Sequence, residues 1–201
     1  MKVKNWMVRD LITIGPDATI MEAMELMHRH SIRHLPVVSD RDSMQGLVTE
    51  SNLRQYFIPS IVKDLKVSDV MIVNPITVDP HTSIDSAARL IHKYKIGGLP
   101  ILEKRRLVGI ITVTDILAAF IGIFGLLQES SRLDIMLSEK GGTLDDALRL
   151  IREMGGEVIS VGIEAQSSRK KVHYIRLGKG NLMNIIKALE NQGHRIVSVL
   201  D

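Results

Sequence analysis

The chain has 201 residues, of which 45% are hydrophobic, so it is long enough for about one to three small domains with apolar cores. It contains no cysteine, which excludes disulfides and thiolate chemistry and fits a reducing compartment. The net charge of +3 is small, and the basic residues are scattered, with short clusters at 104–106 and 169–171 that we interpret as solvated loops. These features argue against a nucleic-acid-binding surface.

The N-terminal residues lack the apolar segment of a secretory signal peptide, so we expect none. The longest apolar run, residues 116–127, is shorter than the ~20 residues that a membrane-spanning helix requires. Because this run is apolar on nearly all sides, we expect a buried helix that contributes to a dimer contact or to a seam between domains. The sequence thus predicts a cytoplasmic protein that does not enter the membrane.

The first two-thirds of the chain contain an internal repeat. Residues 3–38 align without a gap with residues 67–102, and after a one-residue deletion GLVTESNL at 46–53 aligns with GIITVTDI at 109–116. A repeat of this length indicates a small domain that has been duplicated once, rather than a solenoid. The identical positions in the gapless part are Val3/Val67, Met7/Met71, Ile12/Ile76, Thr13/Thr77, Pro16/Pro80, Ile20/Ile84, Ala23/Ala87, Leu26/Leu90, His28/His92, Ile32/Ile96, Leu35/Leu99 and Pro36/Pro100.

Each copy predicts a β-α-β-β-α unit. Thr19 and Ser83 are good N-caps for an amphipathic helix, and a closing helix begins near Ser51 or Thr114. About 50 residues give a thin core, so we expect the two copies to pack their sheets against each other. The predicted extended segments are 12–14, 35–38 and 46–49 in the first copy and 76–78, 99–102 and 109–112 in the second, and the last two of each copy form a hairpin.

The junction between the last strand and the closing helix has the same chemistry in both copies. A hydroxyl side chain, Thr49 or Thr112, is followed three residues later by an acceptor, Asn52 or Asp115. Helix N-termini attract phosphate, the hydroxyl can donate to it, and a carboxylate can accept hydrogen bonds from a ribose diol. The same pattern is also an ordinary helix-capping box. Its repetition behind equivalent strands favours the ligand-binding interpretation, and capping remains the alternative.

The duplicated unit resembles a pair of CBS domains, the tandem called a Bateman module. The resemblance rests on GLVTESN at 46–52, GIITVTD at 109–115, IRHLPVV at 32–38 and IGGLPIL at 96–102. It implies two clefts between the repeats for an adenine nucleotide or a related adenosine compound. The domain boundaries that it suggests are 1–64 for the first repeat, 65–128 for the second repeat with its linker, and 129–201 for a further domain.

In each implied cleft, one repeat supplies the Thr and the Asp or Asn, and the other repeat supplies base contacts. Arg33 and His34 would add charge for phosphate. We expect the cleft with Asp115 to bind more tightly, because Asn52 is neutral. The first implied cleft comprises Leu11, Ile12, Ile32, Arg33, His34, Thr112 and Asp115. The second comprises Thr49, Asn52, Ile76, Ile96, Gly97 and Gly98.

Residues 132–201 predict a β-α-β-β-α-β domain of the ferredoxin-like order. It resembles an ACT domain, a sensor of small molecules such as amino acids, and Gly141 and Gly142 would allow a ligand to approach the backbone. The alternative is a plain strand-to-helix turn. The predicted strands are 133–137, 158–163, 172–177 and 195–200, the predicted helices are 144–154 and 182–191, and a polar loop spans 165–171.

An α+β protein of this order, with a CBS pair followed by an ACT-like domain, resembles bacterial acetoin-utilisation accessory proteins. We therefore predict a regulatory homodimer that binds an adenosine compound and passes the signal to the ACT-like domain or to a regulated partner. The alternatives are a nucleic-acid-binding protein and a purely structural dimerisation module. We predict no catalytic residues and no catalytic cofactor. We also predict no metal site, because His28 and His30 do not share a helix face with each other and no acidic residue accompanies them and His34.

Overall fold

The computed structural model describes residues 1–39, 43–54, 56, 65–167 and 170–200. The chain divides into two compact units, Met1–Ala119 and Phe120–Asp201. In the described part of the chain, none of the helices combines the length and the apolar character needed to cross a bilayer.

The N-terminal unit contains the two repeats, each with the predicted helix and hairpin. After a short 3₁₀ turn at Val3–Asn5, the first repeat comprises α1 (Ile20–Arg29), β1 (His34–Val38), β2 (Met44–Thr49) and α2 (Glu50–Arg54). The second comprises α3 (Val67–Val70), β3 (Ile72–Val73), α4 (Ile84–Tyr94), β4 (Gly98–Glu103), β5 (Arg106–Thr112) and α5 (Val113–Phe124).

The predicted helix starts are confirmed. The Thr19 side chain accepts a hydrogen bond from the Glu22 N–H, and the Glu22 carboxylate accepts one from the Thr19 N–H. The Ser83 side chain accepts a hydrogen bond from the Ser86 N–H. Such caps satisfy amide groups that a helix leaves unpaired at its N-terminus. The buried side of α1 then joins β1 and β2 in an apolar core, which includes Ile20, Ala23, Met27, Leu35, Val37 and Val48.

The two repeats exchange strand segments, a feature that the repeat alignment does not reveal. β3, which belongs to the second repeat, pairs with β2 of the first at Gly46↔Val73 and Leu47↔Ile72. In the equivalent contact, Val8 of the first repeat pairs with Ile110 of the second. Each repeat therefore completes its sheet with backbone from the other.

The predicted extended segments at 12–14 and 76–78 stay within their own repeats. Ile14 forms a parallel bridge with Val37, and Val78 forms one with Ile101. The hairpin of the second repeat turns at Lys104 and Arg105, which both have positive φ, as a two-residue turn of the primed type requires. The basic cluster at 104–106 is thus exposed, as predicted. In the cluster at 169–171, Arg169 lies outside the described residues.

The helix predicted over residues 116–127 is shorter in the structure, and one side of it is exposed within this chain, so its burial in a dimer contact stays a prediction. α5 ends at Phe124, because Gly125 adopts a positive φ. Only Ile116 and Ala119 of α5 are buried, whereas Leu117 is 56% and Leu127 is 87% exposed within this chain. A helix that packs by one side leaves its other side exposed, whatever the composition of that side.

The C-terminal unit has the predicted β-α-β-β-α-β order. Its sheet order, β7-β8-β6-β9, with every neighbouring pair antiparallel, is that of the ferredoxin-like arrangement. The hairpin strands are longer than predicted, so that most of the segment 165–171 belongs to them. The elements are β6 (Ser130–Met136), α6 (Leu144–Glu153), β7 (Val158–Ser167), β8 (Lys170–Gly178), α7 (Leu182–Asn191) and β9 (Arg195–Leu200).

Candidate functional site

A single open cavity of about 940 Å³ lies between the two repeats of the N-terminal unit. Its volume falls within the range of roughly 300–1,000 Å³ that small-molecule sites occupy. All of the residues assigned above to the two implied clefts line this one cavity. They are Leu11, Ile12, Ile32, Arg33, His34, Thr49, Asn52, Ile76, Ile96, Gly97, Gly98, Thr112 and Asp115.

The strand-to-helix corner of the second repeat is a helix cap that also faces the cavity. Asp115 Oδ2 accepts hydrogen bonds of 2.7 Å from the Thr112 N–H and from the Thr112 hydroxyl. No described residue donates to the other carboxylate oxygen, Oδ1. The capping interpretation is therefore correct, and it leaves one oxygen of Asp115 for another donor.

The corner of the first repeat shares the bond from the threonine hydroxyl, but its acceptor is a neutral side chain. The Thr49 hydroxyl donates to Asn52 Oδ1, and the Asn52 N–H donates to Thr49 Oγ1 over 3.2 Å. Because an amide carries no net charge, this corner offers a weaker acceptor for a diol than Asp115 does.

His34 reaches across the cavity to the second repeat. A Cβ atom at Gly97 would lie 2.5 Å from His34 Nε2, so the imidazole occupies the space that the missing side chain leaves. Burial, and secondarily the charge of Arg33, lowers the pKa of His34 from its ordinary value of 6.5. The lowered pKa disfavours the protonated ring at neutral pH, which makes Arg33 the stronger candidate for the positive charge that we predicted for a phosphate.

The strand pairing shows which corner of the cavity each of these residues is joined to through the backbone. His34 pairs with Thr49, and the Glu50 N–H donates to the Arg33 carbonyl, so Arg33 lies beside the Thr49 corner. In the second repeat the Val113 N–H donates to the Gly97 carbonyl in the same way.

The predicted grouping placed Arg33 with Thr112, and it placed Gly97 and Gly98 with Thr49. Backbone hydrogen bonds join each of these residues to the corner of its own repeat, whereas the His34 ring reaches Gly97 of the other repeat, so the division into two clefts stays a prediction.

Sequence reasoning missed four charged residues that line the cavity. Arg54 forms an ion pair with Glu50 over 2.8 Å. Asp10 and Lys95 also line the cavity. An available signal was the alignment of the repeats, since Arg54 stands where the second repeat has Leu117. The cavity wall is thus less symmetrical than the shared motif suggests.

A model of the CBS domain matches residues 3–59 and 67–122, more than half of the chain. The chain belongs to the CBS domain family. Among curated relatives, a CBS domain-containing protein of Dictyostelium discoideum is 34% identical over 133 residues, which cover 60% of this chain and 92% of that protein. An inosine-5'-monophosphate dehydrogenase of Korarchaeum cryptofilum is 33% identical over 135 residues, and here the CBS protein spans only 27% of the relative's length.

Solved structures of CBS proteins share the fold. A putative acetoin utilization protein, AcuB, of Vibrio cholerae has a TM-score of 0.59 and 31% identity, covering 64% of this chain and 98% of that one. The CBS domain pair of protein MJ0100, in complex with 5'-methylthioadenosine and S-adenosyl-L-methionine, has a TM-score of 0.55 and 31% identity, covering 61% and 97%. CBSX2 in complex with AMP has a TM-score of 0.55 and 26% identity, covering 61% and 97%.

The glycines predicted to admit a ligand in the C-terminal unit are in close contact with neighbouring residues. A Cβ atom at Gly141 would lie 2.6 Å from the His194 ring, and one at Gly142 would lie 2.8 Å from Asp146 Oδ2. The two glycines therefore let the β6–α6 loop pack closely. Amino-acid binding at this loop stays a prediction.

The histidines were not predicted to form a metal site. His28 and His30 lie exposed at the end of α1, while His34 is half-buried in the cavity wall. Within the described ranges, no three His, Asp or Glu side chains converge as metal ligands would.

Two buried histidines should make the C-terminal unit less stable in acid. Burial lowers the pKa of His173 and His194 from 6.5, partly opposed at His194 by Asp146. As the pH falls below about 6.5, the unfolded chain therefore binds protons more readily, and stability is lost. We expect a lower Tm at about pH 5.5 than at about pH 7.5, with a smaller difference in His173→Leu. An equal difference in both proteins, measured by calorimetry, would contradict this.

Proposed function

We propose that this CBS protein is a regulatory sensor that binds an adenosine compound, such as AMP, ADP, ATP or a related molecule, between its two repeats. The observation that carries the proposal is the continuous cavity onto which both Thr-x-x-Asp/Asn corners open. The structures of CBSX2 with AMP and of the MJ0100 pair with adenosyl compounds support the same class of ligand.

In this proposal the corners hold the polar part of the ligand and the apolar wall holds its base. Asp115 would accept hydrogen bonds from a ribose diol through Oδ1, while Oδ2 continues to cap α5. α5 has 12 residues, and its N-terminus adds positive partial charge at this point. Ile12, Ile76 and Ile96 would contact the flat faces of an adenine ring.

We propose regulation rather than catalysis as the consequence of binding. A ligand shifts a protein between arrangements only as far as it binds one of them better than the other. The exchanged strands place cavity residues of both repeats on shared sheets, so a change at the corners reaches both. The C-terminal unit, proposed here to be ACT-like with an amino acid as a second input, or a regulated partner would receive the signal.

We also propose a homodimer in which the exposed apolar side of α5 is covered by a second copy. Leu117 and Phe124 lie one above the other on this side, 56% and 38% exposed. Sedimentation velocity of the full chain would then show a species of twice the chain mass. A monomer at micromolar concentration would argue against this part of the proposal.

The proposed function is tested by a thermal-shift screen of the full chain with adenosine, AMP, ADP, ATP, 5'-methylthioadenosine and S-adenosyl-L-methionine. A ligand that binds only the folded state should raise Tm as its concentration increases. At a ligand concentration a hundredfold above Kd, the free energy of unfolding should rise by about 2.7 kcal/mol. GMP and CMP are matched controls with the same phosphate. No shift with any adenosine compound, or equal shifts with GMP, would refute the proposal.

A further inference from the structure

The two corners of the cavity differ in charge at positions that the repeat alignment matches. Beside Thr49 lie Arg33, Glu50 and Arg54, all of which line the cavity. The matched positions in the second repeat are Gly97, Val113 and Leu117, none of which is charged. The asymmetry therefore comes from replaced side chains on equivalent backbone.

The charges at the Thr49 corner leave one guanidinium available. Arg54 is paired with Glu50, which accepts its hydrogen bond over 2.8 Å. Arg33 forms no ion pair with a described residue, and its own backbone carbonyl is held by the Glu50 N–H. A guanidinium can donate two parallel hydrogen bonds to a phosphate, which a lysine ammonium cannot match in geometry.

The Thr112 corner has a different balance of positive and negative charge. Its acceptor is the Asp115 carboxylate, where the first repeat has neutral Asn52. Its basic side chain is that of Lys95, an exposed residue at the C-cap of α4. The repeat alignment matches Lys95 with Ser31 of the first repeat. A carboxylate and a single flexible ammonium give no net positive charge for a phosphate.

We propose that the cavity distinguishes its ligands by corner: a phosphorylated adenosine compound binds with its phosphate at Arg33 beside Thr49, and the Thr112–Asp115 corner takes an adenosine compound without a phosphate. The inference rests on the proposed function, since it assigns chemical classes to the same site. Arg33 is then a residue that determines specificity, and Arg54 supports it by pairing with Glu50, whose carboxylate also interacts with Arg33.

The test compares AMP with adenosine, which differ only in the phosphate, by isothermal titration calorimetry of the full chain. The quantity of interest is the ratio of the two Kd values. Arg33→Gly, which introduces the residue of the second repeat, should reduce the preference for AMP by about tenfold or more. Arg33→Gln removes the guanidinium but keeps a polar side chain, so a loss of folding is less of a concern, and we expect the ratio of the two Kd values to change in the same direction.

Lys95→Ser is the matched control, because it introduces the residue of the first repeat at the other corner. It should leave the preference for AMP within about twofold of the original protein. Asp115→Asn should weaken adenosine more than AMP. The inference is overturned if Arg33→Gly keeps the preference for AMP, if Lys95→Ser removes it, or if Arg33→Gly weakens both ligands equally. If none of the adenosine compounds in the thermal-shift screen binds, the proposed function itself fails, so the two failures are distinguishable.

Discussion

Replacing Gly109 with alanine should destabilise the N-terminal unit by about 1–3 kcal/mol, the usual cost of an overpacked site. The added Cβ would lie 2.7 Å from Met7 Sδ and 3.0 Å from the Val8 carbonyl oxygen. The methionine can move, but Val8 is held by two backbone hydrogen bonds to Ile110. The bridge between the repeats must therefore shift, and with it the wall of the cavity. Urea unfolding followed by the fluorescence of Trp6 would measure the change.

Gly162→Ala is the matched control for this substitution. Gly162 also lies in a strand, but a Cβ atom there would contact only Tyr174 at 3.8 Å, which is an ordinary van der Waals distance. We expect a change of less than about 0.5 kcal/mol for the control. Equal effects of the two substitutions would mean that the cost arises from strand glycines in general, and that the exchange between repeats is not the cause.

Replacing Asp115 with alanine should weaken the binding of adenosine or 5'-methylthioadenosine by about 1–3 kcal/mol, the value of lost charge-assisted hydrogen bonds. The same substitution removes a helix cap, so stability should fall by roughly 0.5–2 kcal/mol as well. Calorimetric titration at a temperature well below Tm separates the two effects, because binding is then measured on folded protein.

Asp146→Ala provides the comparison, because Asp146 caps α6 with the same geometry. Its Oδ2 accepts hydrogen bonds from the Thr143 N–H and hydroxyl over 2.9 and 2.8 Å, and Asp146 does not belong to the residues that line the cavity. We expect a similar loss of stability and unchanged affinity. If Asp115→Ala also leaves the affinity unchanged, Asp115 serves only as a cap and the ribose contact does not exist.

The elements that follow from local patterns were predictable. α7 and β9 have the predicted bounds, and the caps at Thr19 and Ser83 follow from residue type and position. The residues around the cavity were also predictable, because the duplicated motif marks both corners with the same spacing. Features that depend only on neighbouring residues, such as helix caps and element bounds, can therefore be predicted from the sequence.

The contacts that depend on long-range packing were not predictable. The pairing of Val8 with Ile110 joins residues that are far apart in sequence, and no local pattern marks either as a partner of the other. The contact of the His34 ring with Gly97 and the lowered pKa of His34 depend on the same docking of the two repeats. The exposure of Leu117 within this chain is a further example, since an apolar composition does not show which side of a helix is covered or by what.

The exchanged strands constrain the order of events during synthesis. Val8 leaves the ribosome long before its backbone partner Ile110, which lies in the second repeat. Before β3 has been made, β2 also lacks its partner along one edge, and an unpaired edge can recruit other chains. During synthesis the first repeat therefore has an unpaired sheet edge. The docking of the second repeat pairs this edge, and the same docking assembles the cavity.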